Sequence, residues 1–365
     1  EEEIQSLVSD WRVAITSGDR QTEKTLSENV SERLWTPISK VFGRVSRIVV
    51  CPEGPISAVP WGALRTDGEK FLIEQCSVVL VSSLKNVARK DGADTGKFSK
   101  GVAPSILLVG DVDYSGTQRA SSPSVSNVGA FRNERLGVLS DLPGSRIEVD
   151  TIKSLFEKKF PNGAVVRLER DLATESNFHA LSHRKRYVHL ATHGFFSPPN
   201  LNTELLRYDN VSESRVGVRP RFAHPGLLGG IALVPIDPES SFGWEDGVMT
   251  SLEAQGCDLF GTELVVLSAC DSGVGFYANG EGVIGLQRAF HRAGAARVIS
   301  SLWSVNDDAT SELMTRFYAV LWGDNLDPTD ALRVAQLSMI RSPRRFEGSS
   351  KLRVPDFGDR KSTRL

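Results

Sequence analysis

Apolar residues recur at Ile4, Leu7, Val8, Trp11 and Ile15, the spacing of one helix face, so the stretch from Glu3 to about Lys40 is predicted helical. The period then changes. Arg47-Ile48-Val49-Val50-Cys51-Pro52 is a short apolar run closed by Glu53-Gly54-Pro55, and Ser77-Val78-Val79-Leu80-Val81 is another, with Val59-Pro60-Trp61 between them. Short apolar runs bounded by glycine and proline read as strands. Residues 1–100 therefore form a small helical and αβ lobe.

After Ala88 the chain turns to Lys, Gly, Asp and Ser as far as about Pro104, a connector. Ser105 to Asp111 then starts a second series of buried strands, continued by Ala164 to Leu168, Tyr187 to Ala191, Gly230 to Val234, Leu264 to Ser268 and Arg297 to Trp303. Helices are predicted between them at Arg146 to Phe156, Thr174 to about His183 and Thr250 to about Gly256. A further helix has Val283, Leu286, Phe290 and Ala293 as its apolar face and stops near Gly294. Two more run from Ala309 to Leu321 and from Asp327 to Ile340, the second with an Asp cap and proline at its first position. Tyr114 to about Ser140 and Ser197 to Ala223 are polar loops. Alternating strand and helix predict an α/β fold with a mostly parallel sheet covered on both faces. The second domain is placed at 101–345, and 346–365 is a polar basic tail.

Composition narrows the partners. With 365 residues, 40% of them hydrophobic, the chain can bury a large core. Its net charge of −2, from 43 basic and 45 acidic residues, gives no overall field to recruit nucleic acid or an anionic membrane. No apolar run approaches the roughly 20 residues that span a bilayer. Cys51, Cys76, Cys257 and Cys270 show no C-x-x-C spacing, which fits a reducing, cytoplasmic compartment. A chain opening Glu1-Glu2-Glu3 without methionine reads as cut from something longer.

Two strands end in reactive side chains. Tyr187-Val188-His189-Leu190-Ala191-Thr192-His193-Gly194 and Leu264-Val265-Val266-Leu267-Ser268-Ala269-Cys270-Asp271-Ser272-Gly273 each run apolar into a polar residue and then a glycine. Parallel α/β sheets present their chemistry at the carboxyl ends of strands, so His193 and Cys270 are candidates for a cysteine nucleophile and its histidine partner. Spacing alone leaves Cys270 equally open to being a buried, inert core thiol. His189, inside the apolar strand, reads as a structural residue. Gly194 and Gly273 suit turns or the close approach of substrate, and the Gly194 and Cys270 amides are candidate oxyanion donors.

Other chemistries find little support. His189 and His193 share a strand and cannot converge as i,i+4 ligands do on a helix, and His179-Ala180-Leu181-Ser182-His183 lacks the glutamate of a zinc peptidase, so no metal is expected. Gly280-Glu281-Gly282 is no phosphate loop, and no G-x-S-x-G elbow occurs, so no cofactor and no serine nucleophile are expected.

The strings His189 to Gly194, Leu267 to Gly273, Gly280 to Gly282, Ala289-Phe290, Ala293-Gly294-Ala295 and Ser301-Leu302-Trp303-Ser304-Val305-Asn306-Asp307 together resemble the CHAT domain. That family is a branch of the caspase, separase and gingipain clan, often fused to tetratricopeptide repeats. The likeness extends through Val50 to Gly54 and Val59 to Trp61 upstream, and through Phe317-Tyr318 and Ala331-Leu332 downstream, covering about residues 45 to 340. It implies a caspase-like α/β/α sandwich and cysteine endopeptidase activity on protein substrates, with His193 and Cys270 as the dyad. Asp307 matches a substrate-pocket segment of separase relatives, which implies a preference for a basic P1 side chain, and Asp271 and Trp303 are further substrate-binding candidates. Asp307 reads equally well as a helix cap before Ala309. A regulatory region outside the chain, such as tetratricopeptide repeats, is the implied partner. Family members often close with an aromatic-rich strand, whereas this chain runs Arg341-Ser342-Pro343-Arg344-Arg345 into a polar tail. A catalytically weak interaction module and a non-proteolytic acyl transferase are the competing readings.

Overall fold

In the computed structural model the N-terminal helical stretch breaks at Gly18, whose φ of 71° ends helix Glu2–Ser17, and at Asp19, whose side chain accepts from Thr22 N and caps helix Arg20–Leu34. Left-handed backbone is cheap only for glycine, so the one long helix expected from periodicity becomes two. The structure describes residues 2–67, 70–81, 103–114, 139–196, 225–235, 246–270, 272–273, 275–278, 282–303 and 306–341. The connector after Ala88, the loop Ser197 to Ala223, most of the stretch between Tyr114 and Ser140, and the tail 346–365 lie outside them.

The chain divides into two units. The first comprises Glu1–Pro104, Pro143–Val165 and Leu302–Leu365, the second Ser105–Leu142 and Val166–Ser301. Each unit draws on segments distant in sequence, and side-chain packing supplies the reason. In the first unit Phe156 of helix Pro143–Lys159 and Phe160, just beyond it, pack edge-on against Trp322 of helix Asp307–Gly323. Helix Pro328–Arg341 is tied to residues far upstream, since Arg333 donates to the Ile73 and Glu74 carbonyls at 2.7 and 2.9 Å. Strand β1 (Arg47–Val50), the small ribbon of β2 (Arg65–Asp67) with β3 (Lys70–Phe71), and β4 (Ser77–Leu80) complete the unit. β1 and β4 pair in parallel as a two-stranded sheet. Trp11, Trp35, Trp61, Leu64 and Leu72 share a buried core beside it.

The second unit is built on a five-stranded sheet. Its strands in chain order are β5 (Ser105–Val112), β6 (Ala164–Arg170), β7 (Tyr187–Ala191), β11 (Leu264–Ser268) and β14 (Val298–Ser300), arranged β14-β11-β7-β5-β6. Between β7 and β11 in sequence, β8 (Gly194–Phe196), β9 (Gly229–Ala232) and β10 (Val248–Thr250) make an antiparallel sheet. β12 (Gly275–Ala278) and β13 (Gly282–Gly285) form a hairpin after β11. Val283 thus belongs to a strand rather than to the helix face assigned to it, and that helix is Leu286–Arg292.

Register explains why the central strands read as unbroken apolar runs. Leu107 and Val109, Val188 and Leu190, and Val265 and Leu267 line up across one face and share a core with Phe178, Leu286 and Phe290. Ile106, Leu108, Leu264 and Val266 occupy the opposite face and are buried as well. A sheet covered on both faces needs apolar residues at every position. Helix Glu175–Ser182 is capped by Thr174, and the buried Glu175 carboxylate accepts from Gly247 N and Val248 N, fixing the start of β10.

The order of the strands positions the site. From β5 the chain goes outward to the edge strand β6, then returns to β7 on the other side of β5 and continues to β11 and β14. The direction reverses between β5 and β7. Ligands of open α/β sheets bind beyond the carboxyl ends of strands at such a reversal.

Candidate active site

β7 and β11 are parallel neighbours paired up to Ala191 with Ser268. His193 and Cys270 each follow that last pair by two residues, so equal offsets carry both to the same edge of the sheet. The two segments touch beyond the ladder. A Cβ built on Gly194 would fall on the Cys270 carbonyl oxygen and stand 3.0 Å from the Ala269 Cβ. Only a residue without a side chain lets the His193-Gly194 backbone pass so close to Cys270.

The imidazole is held from two sides. Nε2 of His193 lies 2.7 Å from the Ser140 carbonyl oxygen. A carbonyl only accepts, so Nε2 carries the proton and a neutral ring presents a bare Nδ1 as its basic atom. On the other side Tyr114 Oη accepts from the His193 backbone N–H at 3.2 Å, and the two rings lie 5.0 Å apart, tilted by 55°. Both His193 and Cys270 are partly exposed.

The turn that carries Cys270 is clamped to the end of β14. Ser272, fully buried, donates through Oγ to the Ala269 carbonyl at 2.8 Å and accepts from Ser301 N at 3.1 Å, while Gly273 N donates to Ser301 O at 2.6 Å. These bonds bracket Cys270 and fix its backbone amide. A side chain on a turn closed by such bonds is held by the scaffold rather than by a free loop.

The CHAT domain family model matches residues 24–353. The chain belongs to the CHAT domain family. Membership agrees with the α/β fold built on a parallel sheet. Among solved structures the chain is similar to the Arg-specific cysteine proteinase gingipain R, with 10% identity and a TM-score of 0.48 over 88% of this chain and 63% of that one. It is also similar to the complex of the Porphyromonas gingivalis RgpB pro- and mature domains, with 11% identity and a TM-score of 0.44 over 93% and 71%. The chain thus spans less than two thirds of gingipain R. A comparison with curated proteins gives no match.

Within this CHAT domain Asp307 and Trp303 belong to the first unit, and Asp271 lies outside the described residues. Asp307 opens helix Asp307–Gly323, but the cap of that helix is Asn306, whose Oδ1 accepts from Ala309 N. The Asp307 carboxylate instead accepts from Gly144 N at 2.6 Å, at the start of helix Pro143–Lys159, where any Cβ on residue 144 would collide with it. A carboxylate at a helix N-terminus is stabilised by the unpaired amides there. Trp303 is partly buried. Tyr114, Ser140 and Ser272 were missed by sequence reasoning, since the first two read as loop ends and the third as one more residue of a turn. Among the described residues no group of three or more His, Cys, Asp or Glu side chains is placed to hold a metal, and no helix is long and apolar enough to cross a membrane.

Proposed function

We propose that this CHAT domain is a cysteine endopeptidase acting on protein substrates through Cys270 and His193. The observation that carries the reading is the placement of both residues at equal offsets beyond neighbouring parallel strands, with Gly194 against the Cys270 backbone. His193 Nδ1 takes the proton from the Cys270 thiol, and Sγ bonds to the scissile carbonyl carbon. The carbonyl oxygen becomes an oxyanion, received by the Gly194 and Cys270 amides. As the tetrahedral adduct collapses, the imidazolium gives its proton to the leaving amine and the C–N bond breaks. Water, deprotonated by the same nitrogen, then cleaves the thioester and restores the thiol.

Asp307 extends the reading to specificity. Its carboxylate is oriented by Gly144 N, and a carboxylate is the group that pairs with a basic P1 side chain. Asp271 and Trp303 are proposed to line the substrate path. Control by a region outside this chain, tetratricopeptide repeats being one such partner, and a cytoplasmic setting complete the proposal. The four cysteines, none of them in a disulfide, fit a reducing compartment.

Digestion of a peptide library by the wild-type chain and by Cys270→Ala tests the activity. Cleavage by the first and none by the second is the expected result. Absence of cleavage by both, with and without candidate partner regions, would leave the fold as an interaction module. In the same library Asp307→Asn should lower cleavage after Arg and Lys about tenfold or more relative to apolar P1 residues, the cost of one charged pair in a desolvated site. An equal loss at every P1 residue, together with a lower melting temperature, would reduce Asp307 to a support for helix Pro143–Lys159.

A further inference from the structure

We infer that Tyr114 is the positioning residue for the His193 imidazole. The inference deepens the peptidase reading, and only its kinetic part depends on that reading. Tyr114 follows the end of β5, on the far side from β7 of the crevice where the strand order reverses. Its side chain is 1% exposed and sits in the core that holds Leu107, Val109 and Leu190, so its ring is immobilised by packing on the two strands that flank the crevice. The neighbouring Asp113 pairs with Arg170 at 3.4 Å, but that guanidinium is half exposed, and such pairs contribute little.

From this fixed point Tyr114 makes two different contacts with His193. Oη accepts the backbone N–H, which sets where the residue leaves β7, and the ring packs on the imidazole, which sets the plane of the ring. Ser140 O supplies the third constraint at Nε2. A single hydrogen bond to Nε2 would let the imidazole swing about that bond and carry Nδ1 away from the thiol. The aromatic face removes this freedom. Misplacing a catalytic group by about 1 Å can cost on the order of 100-fold in rate, so a fixed ring plane is the condition for transfer between Sγ and Nδ1.

Two substitutions separate the contacts. Tyr114→Phe keeps the ring and removes Oη, whereas Tyr114→Leu removes both. Each chain is prepared with labelled histidine, its melting curve is recorded, and the His193 ring signals are followed by NMR from about pH 5 to 9, assigned by difference from His193→Ala. For the Leu variant kcat should fall about 100-fold with KM within about threefold, the signature of lost alignment rather than lost binding. Its His193 ring signals should shift and broaden, because a ring held only at Nε2 by Ser140 O samples several planes. For the Phe variant the ring signals should persist, kcat should fall by less than about tenfold, and the His193 amide should exchange with solvent about fivefold faster, because a neutral hydrogen bond of about 1 kcal/mol is lost. A folded Leu variant with wild-type kcat and wild-type ring signals overturns the inference. Should the Leu variant not fold, the Phe variant decides, and wild-type amide exchange there overturns it. Ring signals that respond to Tyr114 as described, in chains none of which cleaves peptide, would uphold the positioning role while removing the peptidase reading.

Discussion

The second unit contains two cysteine and histidine pairs, and they differ in everything except residue type. Cys257 Sγ lies 3.5 Å from His179 Nδ1, on the amino-terminal side of β11. The thiol is only 6% exposed, and burial pushes its pKa up to about 12. Cys270 and His193 stand beyond the other ends of the strands, partly exposed, with a glycine between their backbones and a carbonyl fixing the imidazole tautomer. Proximity of a thiol to an imidazole is therefore not enough. A nucleophile also needs access for the substrate, a way to ionise and a histidine whose free nitrogen is specified.

The largest test of this contrast removes the two thiols separately. Cys270→Ala and His193→Ala should each lower peptide hydrolysis by at least about 1000-fold, as for groups that act as one unit, with melting temperatures near that of the wild type. Near-normal hydrolysis by either variant would show that the strand-end pair is not the dyad. Gly194→Ala probes the same site through its backbone. Its methyl group would overlap the Cys270 carbonyl oxygen, so the turn must move, at a cost of about 1–3 kcal/mol in stability and a loss of hydrolysis larger than the melting shift explains. Unchanged hydrolysis would mean that the close approach of the two segments has no part in the chemistry.

His189 shows what a histidine of the same strand does when it faces inward. It is fully buried, in register between Leu108 of β5 and Val266 of β11. His189→Ala should destabilise the chain by about 2–4 kcal/mol, through the cavity and the polar group left unpaired, and should leave the kcat of the remaining folded protein within about threefold. A melting curve beside an activity assay separates the two effects, and a selective loss of kcat would move His189 into the site.

Much of this was legible in the sequence because it depends on local pattern. Apolar runs of β7 and β11 length that end in His193-Gly194 and Cys270-Asp271 announce strands and their reactive ends, and the Thr174 and Thr250 caps mark helix starts within a residue. What stayed hidden depends on residues distant in sequence. Tyr114 and Ser140 are recognisable as partners of His193 only once β5 lies beside β7, and Ser272 only once β14 lies beside β11. Val283 is assigned to a helix because its spacing from Leu286 fits a helical face, whereas its partner in β12, Tyr277, lies outside any such local period. The pairing of helices Pro143–Lys159 and Asp307–Gly323 follows from aromatic packing, and the tie of helix Pro328–Arg341 to the N-terminal segment from Arg333 on the Ile73 and Glu74 carbonyls, neither of which a local period encodes.

The smallest expected effect belongs to the buried pair. Cys257→Ala should leave hydrolysis within about twofold and cost on the order of 1 kcal/mol in stability, the loss of one small buried group. Its pH dependence is more telling. Because burial raises the folded-state pKa to about 12 from an ordinary value of 9.0, the folded chain keeps this proton where the unfolded chain has lost it. Stability from this group is therefore complete below about pH 9 and declines as the pH rises through that window towards 12. Urea unfolding between pH 8 and 10.5 should show that alkaline loss in the wild type and a shallower one in Cys257→Ala, while the difference between the two chains stays constant below pH 8. Alkylation with iodoacetamide at pH 8 supplies the matching chemical test, since un-ionised thiols react slowly. Cys270 should be modified well before Cys257. Equal rates at the two positions would mean that the Cys257 thiol ionises as readily as the exposed one, and the distinction between a structural and a catalytic cysteine–histidine pair in this fold would have to be sought elsewhere.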